Sequence, residues 1–158
     1  MNNEKKQEFT VRITNANRSE LVVILYDMIL TYLDDAKNYL KEDKADLFCD
    51  EVKKAQECIR ELISALDMQY EISSQLARLY LYASRTMTRS LIKADAKVLK
   101  DAEMVIKRLR ESFVEVAKQD DSPVLMGNTQ EIYAGLTYGK GSLNENVSDE
   151  GSSRGFFV

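Results

Sequence analysis

Glycine and proline are missing from the first 122 residues of this chain, and their absence strongly limits the possible folds. The only proline is Pro123, and all six glycines lie beyond it. Both residues interrupt helices, glycine through its conformational freedom and proline because it lacks a backbone donor. We therefore predict a mostly helical body followed by an irregular tail.

Apolar residues recur at helical spacing in four stretches of this body. The predicted helices cover about residues 19–41, 46–66, 70–92 and 95–118. Because the links between them are short, successive helices should be antiparallel. We therefore predict an all-α fold, an antiparallel up-down-up-down four-helix bundle with an irregular C-terminal tail. The first of these helices is apolar almost all round in its first half and should be the most deeply buried.

The chain divides into three parts on composition. The bundle should occupy residues 18–118, preceded by a polar segment at 1–17 and followed by a tail at 119–158. The body is nearly neutral, whereas the tail holds two basic and six acidic residues, which accounts for the net charge of −4. Within the tail we expect residues 128–141 to dock on the bundle and the remainder to be disordered.

The N-terminal segment contains three apolar residues at alternating positions, Phe9, Val11 and Ile13. Alternation of this kind is typical of a short extended segment. An exposed apolar groove on the bundle would promote aggregation. We predict that these three residues cap such a groove when no partner is bound and are displaced when one binds.

The predicted helix at 70–92 has two apolar sides. At about 100° per residue, one side holds Ile72, Leu76, Leu79, Ala83 and Ser90, which we assign to the core. The opposite side carries no charge and holds Tyr70, Ser74, Ala77, Leu81, Ser84, Thr88 and Ile92. This pattern is typical either of the central helix of a larger bundle or of a groove that receives a partner helix. In the second interpretation, Ala77 allows close approach and Leu81 fills the groove.

Basic residues line one flank of the third and fourth predicted helices, at Arg78, Arg85, Arg89, Lys93, Lys97, Lys100, Lys107 and Arg108. Such a flank can meet an acidic partner or a phosphate backbone. We expect the carboxylates of the second predicted helix, with Glu71 and Glu103, to neutralise much of it. The sequence therefore favours a solvated flank, and the nearly neutral body argues against nucleic-acid binding.

The residues needed for common catalytic and metal sites are absent. The chain has no histidine, which excludes ferritin-like di-iron sites and Ser–His or Cys–His catalysis. Cys49 and Cys58 are nine apart, without zinc spacing, and are expected to be free thiols in a reducing cytoplasm. We also find no signal peptide and no apolar run long enough to span a membrane. The sequence thus predicts a cytoplasmic protein that is not an enzyme and binds no metal, cofactor or membrane.

Several short stretches resemble one family in their order and spacing. They are Asn15–Leu21, Val23–Asp27 with its Leu-Tyr-Asp, Leu66–Asp67, Glu71–Ile72 and Leu79–Tyr82 with its Leu-Tyr-Leu-Tyr. This pattern resembles the flagellar secretion chaperones that bind flagellin, and it covers about residues 9–118. The resemblance implies a helical bundle that binds the disordered C-terminal segment of flagellin, prevents its premature polymerisation and keeps it competent for type III secretion.

The resemblance also implies client-binding residues. Those that match the motifs are Tyr26, Leu66, Leu79, Tyr80 and Tyr82, and the apolar pattern of the third predicted helix adds Ala77 and Leu81. The flagellar export apparatus is a further expected partner, and the free protein is expected to be a monomer or weak dimer. The alternative is a structural helical adaptor or a self-associating bundle with no flagellin client.

Overall fold

A computed structural model describes residues 1–126, and this part of the chain is helical. The helices are α1 (Asn3–Thr14), α2 (Arg18–Lys41), α3 (Ala45–Ser64), α4 (Glu71–Lys93) and α5 (Leu99–Lys118), with a 3₁₀ turn at Ala96–Val98. The described residues contain no strand. The predicted all-helical bundle is confirmed, and α1 is an addition to the four helices expected.

Helices α2 to α5 close into a ring, since each contacts the next and α5 returns to α2. The side-chain pairs between α2 and α5 give their relative direction. Asp27 pairs with Arg110, and Lys37 lies 2.7 Å from Glu103. Because the residue number rises along α2 while it falls along α5, these two helices are antiparallel.

The core lies inside this ring, and α2 is the most covered helix, as predicted. Its exposed residues are limited to Arg18, Glu20, Asp34, Asn38 and Lys41. Fully buried side chains come from all four bundle helices and include Ile29, Leu33, Phe48, Val52, Ile59, Met87, Leu99 and Ile106. Burying one such side chain contributes about 1.5–3 kcal/mol, so the apolar faces are the main source of stability.

The N-terminal segment is a helix, so its predicted extended conformation is wrong. The Asn2 side chain accepts a hydrogen bond from the Lys5 N–H at 2.9 Å and begins α1. Phe9 and Ile13 are four residues apart and therefore also share one helical face. Phe9 is buried against Ala16 and Ile24, with Ile13 half-buried beside it.

An ion-pair cluster of Arg12, Asp27 and Arg110, here called the Asp27 cluster, joins three helices. Arg12 of α1 lies 2.6 Å from the Asp27 carboxylate of α2, and Arg110 of α5 donates to the other oxygen of the same carboxylate. The Arg12 guanidinium also lies over the Phe9 ring, 5.4 Å from its centre. Helix α1 is thus held on α2 by an apolar contact and this ion pair, and the buried Met1 ammonium that precedes it pairs with Asp35 of α2 at 2.7 Å and with Glu51 of α3 at 3.4 Å.

The turn between α1 and α2 is stabilised by Asn17. Its side chain accepts from the Glu20 N–H, and the Glu20 carboxylate accepts from the Asn17 N–H, which forms a capping box. The Asn17 side chain also donates to the Asp120 carbonyl at 2.9 Å, and the Leu125 N–H donates to the Ala16 carbonyl. The chain that leaves α5 is therefore bound to the start of α2.

Asn17→Ala is expected to lower the free energy of unfolding by about 1–2 kcal/mol, because it removes a helix cap and leaves the Asp120 carbonyl without its donor. Urea denaturation of both proteins measures the change. Asn38→Ala is the matched control, since Asn38 is an exposed residue of the same helix and should alter stability little. Equal effects of the two substitutions would contradict this role of the cap.

The predicted tail begins inside the described part of the chain and continues beyond it. Residues 119–126 follow the end of α5 and include the bonds to the α1–α2 turn. The expected docking of residues 128–141 and the expected disorder of the remainder lie outside the described residues. Within residues 1–126, no helix combines the length and apolar character that a membrane span requires.

Candidate functional site

Helix α4 packs against the core through a mixed row of residues. Its buried members are Ser73, Leu76, Tyr80, Ala83, Thr86, Met87 and Ser90. Two of the polar members find partners on their own helix, since the Thr86 hydroxyl donates to the Tyr82 carbonyl and the Ser90 hydroxyl to the Met87 carbonyl. Burial of a polar group costs little when it is hydrogen-bonded, so these residues can face the core.

The core face of α4 therefore differs from the predicted one. Leu76, Ala83 and Ser90 were placed correctly, but Leu79 is 40% exposed and Ile72 is 59% exposed. The prediction that these two residues lie in the core is wrong. Leu81 is 45% exposed, which confirms that it lies outside the core.

Tyr80 occupies the core position that the prediction gave to Leu79. Its hydroxyl lies 2.5 Å from the Tyr26 hydroxyl, and both side chains are almost fully buried. Phe113 of α5 packs edge-on against Tyr26, with ring centres 5.6 Å apart. Burial raises the pKa of both tyrosines, so the pair stays neutral at physiological pH. The structure thus places these two predicted client-binding residues inside the bundle, beneath the exposed surface of α4.

The exposed surface of α4 carries two apolar rows. At about 100° per residue, Tyr70, Ala77, Leu81 and Ile92 fall on one flank, here called the α3-side row. The Gln56 amide of α3 donates to the Ser84 carbonyl and the Thr88 hydroxyl on this flank. Ile72, Leu79 and Tyr82 fall on the other flank, here called the α5-side row. Every large residue of both rows is at least 40% exposed.

An apolar pocket of about 340 Å³, here called the end pocket, opens where α4 begins. Its walls include Leu62 of α3, Leu66 and Tyr70 of the link between α3 and α4, and Phe113 of α5. Tyr70 also belongs to the α3-side row, so the end pocket and that row share a residue. Leu66 is therefore linked through Tyr70 to the row that holds Ala77 and Leu81.

The predicted groove-capping residues lie elsewhere. Helix α1 contacts α2, and its buried residue Phe9 packs on Ile24. Val11 points away from this contact and is 62% exposed, while Ile13 is half-buried. Helix α1 therefore covers an apolar surface of α2. The exposed rows lie on a different helix, α4.

Sequence reasoning missed two features of this region. The α5-side row was hidden because Ile72 and Leu79 were assigned to the core. The Asp27 cluster was hidden because its members are 15 and 83 residues apart in the chain. The Leu-Tyr-Asp motif does contain Tyr26 and Asp27 side by side. In the structure Tyr26 contacts the buried Tyr80, and Asp27 pairs with the half-buried Arg12 and Arg110.

Neither cysteine nor carboxylate groups suggest a reactive centre in residues 1–126. Burial raises the pKa of the Cys58 thiol to about 11, so it remains protonated and poorly nucleophilic. Cys49 is half-buried and also unpaired. These residues hold no cluster of three or more His, Cys, Asp and Glu side chains arranged for a metal.

Comparison with known proteins identifies relatives for most of the chain. A family model described as flagellar protein FliS matches residues 1–120, which include all five α-helices. The flagellar secretion chaperone FliS of Bacillus subtilis (strain 168) is 24% identical to this chain over 108 residues. That alignment covers 68% of this chain and 81% of the relative.

Proposed function

Because the chain belongs to the FliS family of flagellar proteins, we propose that it is a cytoplasmic export chaperone for flagellin. In this proposal it binds the C-terminal segment of flagellin, prevents premature polymerisation and keeps the client competent for flagellar type III secretion. We assign it no enzymatic step and no cofactor. Delivery to the export apparatus belongs to the same proposal.

The observation that supports this proposal most directly is the exposed apolar surface of α4. The exposed fraction ranges from 40% at Leu79 to 81% at Ile92. Contiguous apolar patches on a folded protein mark binding surfaces. A disordered segment that becomes helical on binding would lay its apolar side on such a surface.

We propose that the client contacts the two rows and the end pocket through Leu66, Ala77, Leu79, Leu81 and Tyr82. Tyr26 and Tyr80 support this surface from below, because they are buried in the free protein. Their contribution to binding is then the positioning of α4, and their loss would act first on stability.

Titration of a flagellin C-terminal peptide, followed by calorimetry, tests the proposal. We expect one peptide to bind each chain, and the mass of the complex in solution gives the stoichiometry. A stable dimer that ignores flagellin would instead support the self-associating bundle. The α4 surface would then be an interface between copies.

We further propose that α1 shields part of the bundle until the client binds. Its buried contact is small, and only Phe9 of its residues is buried. Displacement of α1 would expose Ile24 and Met28 of α2, which the Phe9 contact now covers. The groove cap thus remains a proposal for Phe9 and Ile13, with α2 as the covered surface, whereas Val11, which is 62% exposed, takes no part in it.

Deletion of residues 1–14 is expected to tighten client binding or to promote self-association, because it uncovers the apolar surface of α2. Titration and sedimentation measure the two outcomes. Phe9→Ala should act in the same direction more weakly, and Val11→Ala should have no effect, since Val11 is exposed. If the deletion changes neither binding nor mass, α1 has no role as a cap.

A further inference from the structure

Three arginines form a ridge between the two apolar rows of α4. At about 100° per residue, Arg78, Arg85 and Arg89 fall within a narrow sector of the exposed side. The α3-side row lies on one side of this sector, and the α5-side row lies on the other. We call the three residues the arginine ridge.

The arginine ridge has no ion-pair partner in the part of the chain that the structure describes. None of its members forms an ion pair there, and the expected neutralisation by neighbouring carboxylates is wrong for these residues. Glu103 pairs with Lys37, and on α3 Glu51 pairs with Lys54 and Glu57 with Arg60. Thus three positive charges without an ion-pair partner stand between two apolar rows.

We propose that the arginine ridge recognises a row of carboxylates on the segment that covers α4. The partner is then an acidic amphipathic helix whose Asp or Glu side chains are flanked by apolar residues on both sides. This inference rests on the proposed function, because it specifies the chemistry of the client held by α4. Charge complementarity of this kind fixes register and increases the association rate.

The spacing of the ridge defines the partner more closely. Seven residues separate Arg78 from Arg85, and four separate Arg85 from Arg89. At a rise of about 1.5 Å per residue these intervals are about 10 Å and 6 Å along the helix. A partner helix that lies along α4 therefore places carboxylates at intervals of about seven and four residues.

The arrangement of charge and apolar surface argues against other occupants. A helix that binds a membrane surface has one apolar face bordered by basic residues, whereas here the basic residues lie between two apolar rows. Two copies of α4 facing each other would bring arginines against arginines. A phosphate backbone offers charge but no apolar contact for Leu79 or Leu81.

Charge reversal tests the inference with the full-length protein and a flagellin C-terminal peptide as the probe. Arg85→Glu should lower the affinity about tenfold at about 50 mM NaCl and much less at about 500 mM, because salt screens exposed charges. Arg60→Glu is the matched control, since Arg60 is an exposed residue of α3 that pairs with Glu57. It should change the affinity by no more than about twofold.

The triple substitution of Arg78, Arg85 and Arg89 by glutamine should remove most of the salt dependence. Equal losses from Arg85→Glu and Arg60→Glu would overturn the inference, because the effect would then come from net charge alone. Preferred binding of duplex DNA, of anionic vesicles or of a second copy by the ridge would also overturn it. If Leu81→Glu abolishes binding while Arg85→Glu does not, the inference fails and the proposed function stands. If the wild-type protein does not bind the peptide, both fail.

Discussion

Leu81→Glu is expected to leave the bundle folded and to weaken binding of the flagellin C-terminal segment by about 2 kcal/mol or more, roughly thirtyfold. Leu81 is 45% exposed in the free protein, so a charged side chain there stays in water and should cost less than about 1 kcal/mol of stability. In the complex the same charge would be buried against an apolar helix without a partner. Calorimetric titration and a thermal melt measure the two effects separately.

Leu47→Glu is the matched control for this substitution. Leu47 is 42% exposed and lies in the first turn of α3, outside the two rows and the end pocket. Its replacement should leave both the affinity and the melting temperature nearly unchanged. Unaltered binding by Leu81→Glu would place the client elsewhere on the bundle. Unfolding by Leu81→Glu would mean that this side of α4 belongs to the core.

Tyr80→Glu is expected to unfold the bundle, although Tyr80 is the neighbour of Leu81. The Tyr80 side chain is 1% exposed and shares a hydrogen bond with Tyr26. The substitution removes a buried ring and introduces a charge without a cation, which costs about 4 kcal/mol or more. A domain of this size is stable by only about 5–15 kcal/mol, so most of the helical signal in circular dichroism should be lost or should melt far earlier.

Tyr80→Phe separates the ring from the hydroxyl. It keeps the ring in place and removes one hydrogen bond, at a cost of about 1 kcal/mol. A protein that carries Tyr80→Glu, remains fully folded and loses flagellin would place Tyr80 in the client site. That outcome would contradict the supporting role of the Tyr26–Tyr80 pair.

The bundle helices could be predicted because each apolar stripe at helical spacing ends where a short link begins. Helix α3 has a single stripe that includes Phe48, Val52 and Ile59, and all three are buried. Its opposite side is charged, so only one orientation satisfies the pattern. The bounds of α2 to α5 lie within a few residues of the predicted ones, because the links between the helices are short.

Helix α4 could not be oriented from hydrophobicity alone. Ile72 and Leu79 are more apolar than Ser73 and Tyr80, yet the latter pair faces the core. The choice depends on a partner in another helix, because Tyr80 gains a hydrogen bond from Tyr26, 54 residues away in the sequence. The exposed apolar surface of α4 was therefore only partly predicted, because half of it was assigned to the interior.

The conformation of the N-terminal segment was predicted incorrectly because its apolar residues fit both the two-residue period of a strand and the period of a helix. Phe9, Val11 and Ile13 alternate as in a strand, while Phe9 and Ile13 alone fit a helix. The structure decides for the helix, since residues 4–8 are good helix formers and Asn2 caps the first turn. Only the contact with Ile24 in the structure shows that Phe9 is the one of the three that is buried.

The Asp27 cluster has a consequence for how α1 can open. A carboxylate that loses its only cation in a partly dry site pays a large desolvation penalty, which would lock α1 in place. Asp27 has two cations, and Arg110 belongs to the bundle and stays when Arg12 departs. Release of Arg12 from Asp27 should therefore oppose the opening of α1 only weakly. The buried Met1 ammonium pairs with Asp35 at 2.7 Å, and its departure would leave that carboxylate without a cation in the described part of the chain, so this contact is the one that holds α1 closed.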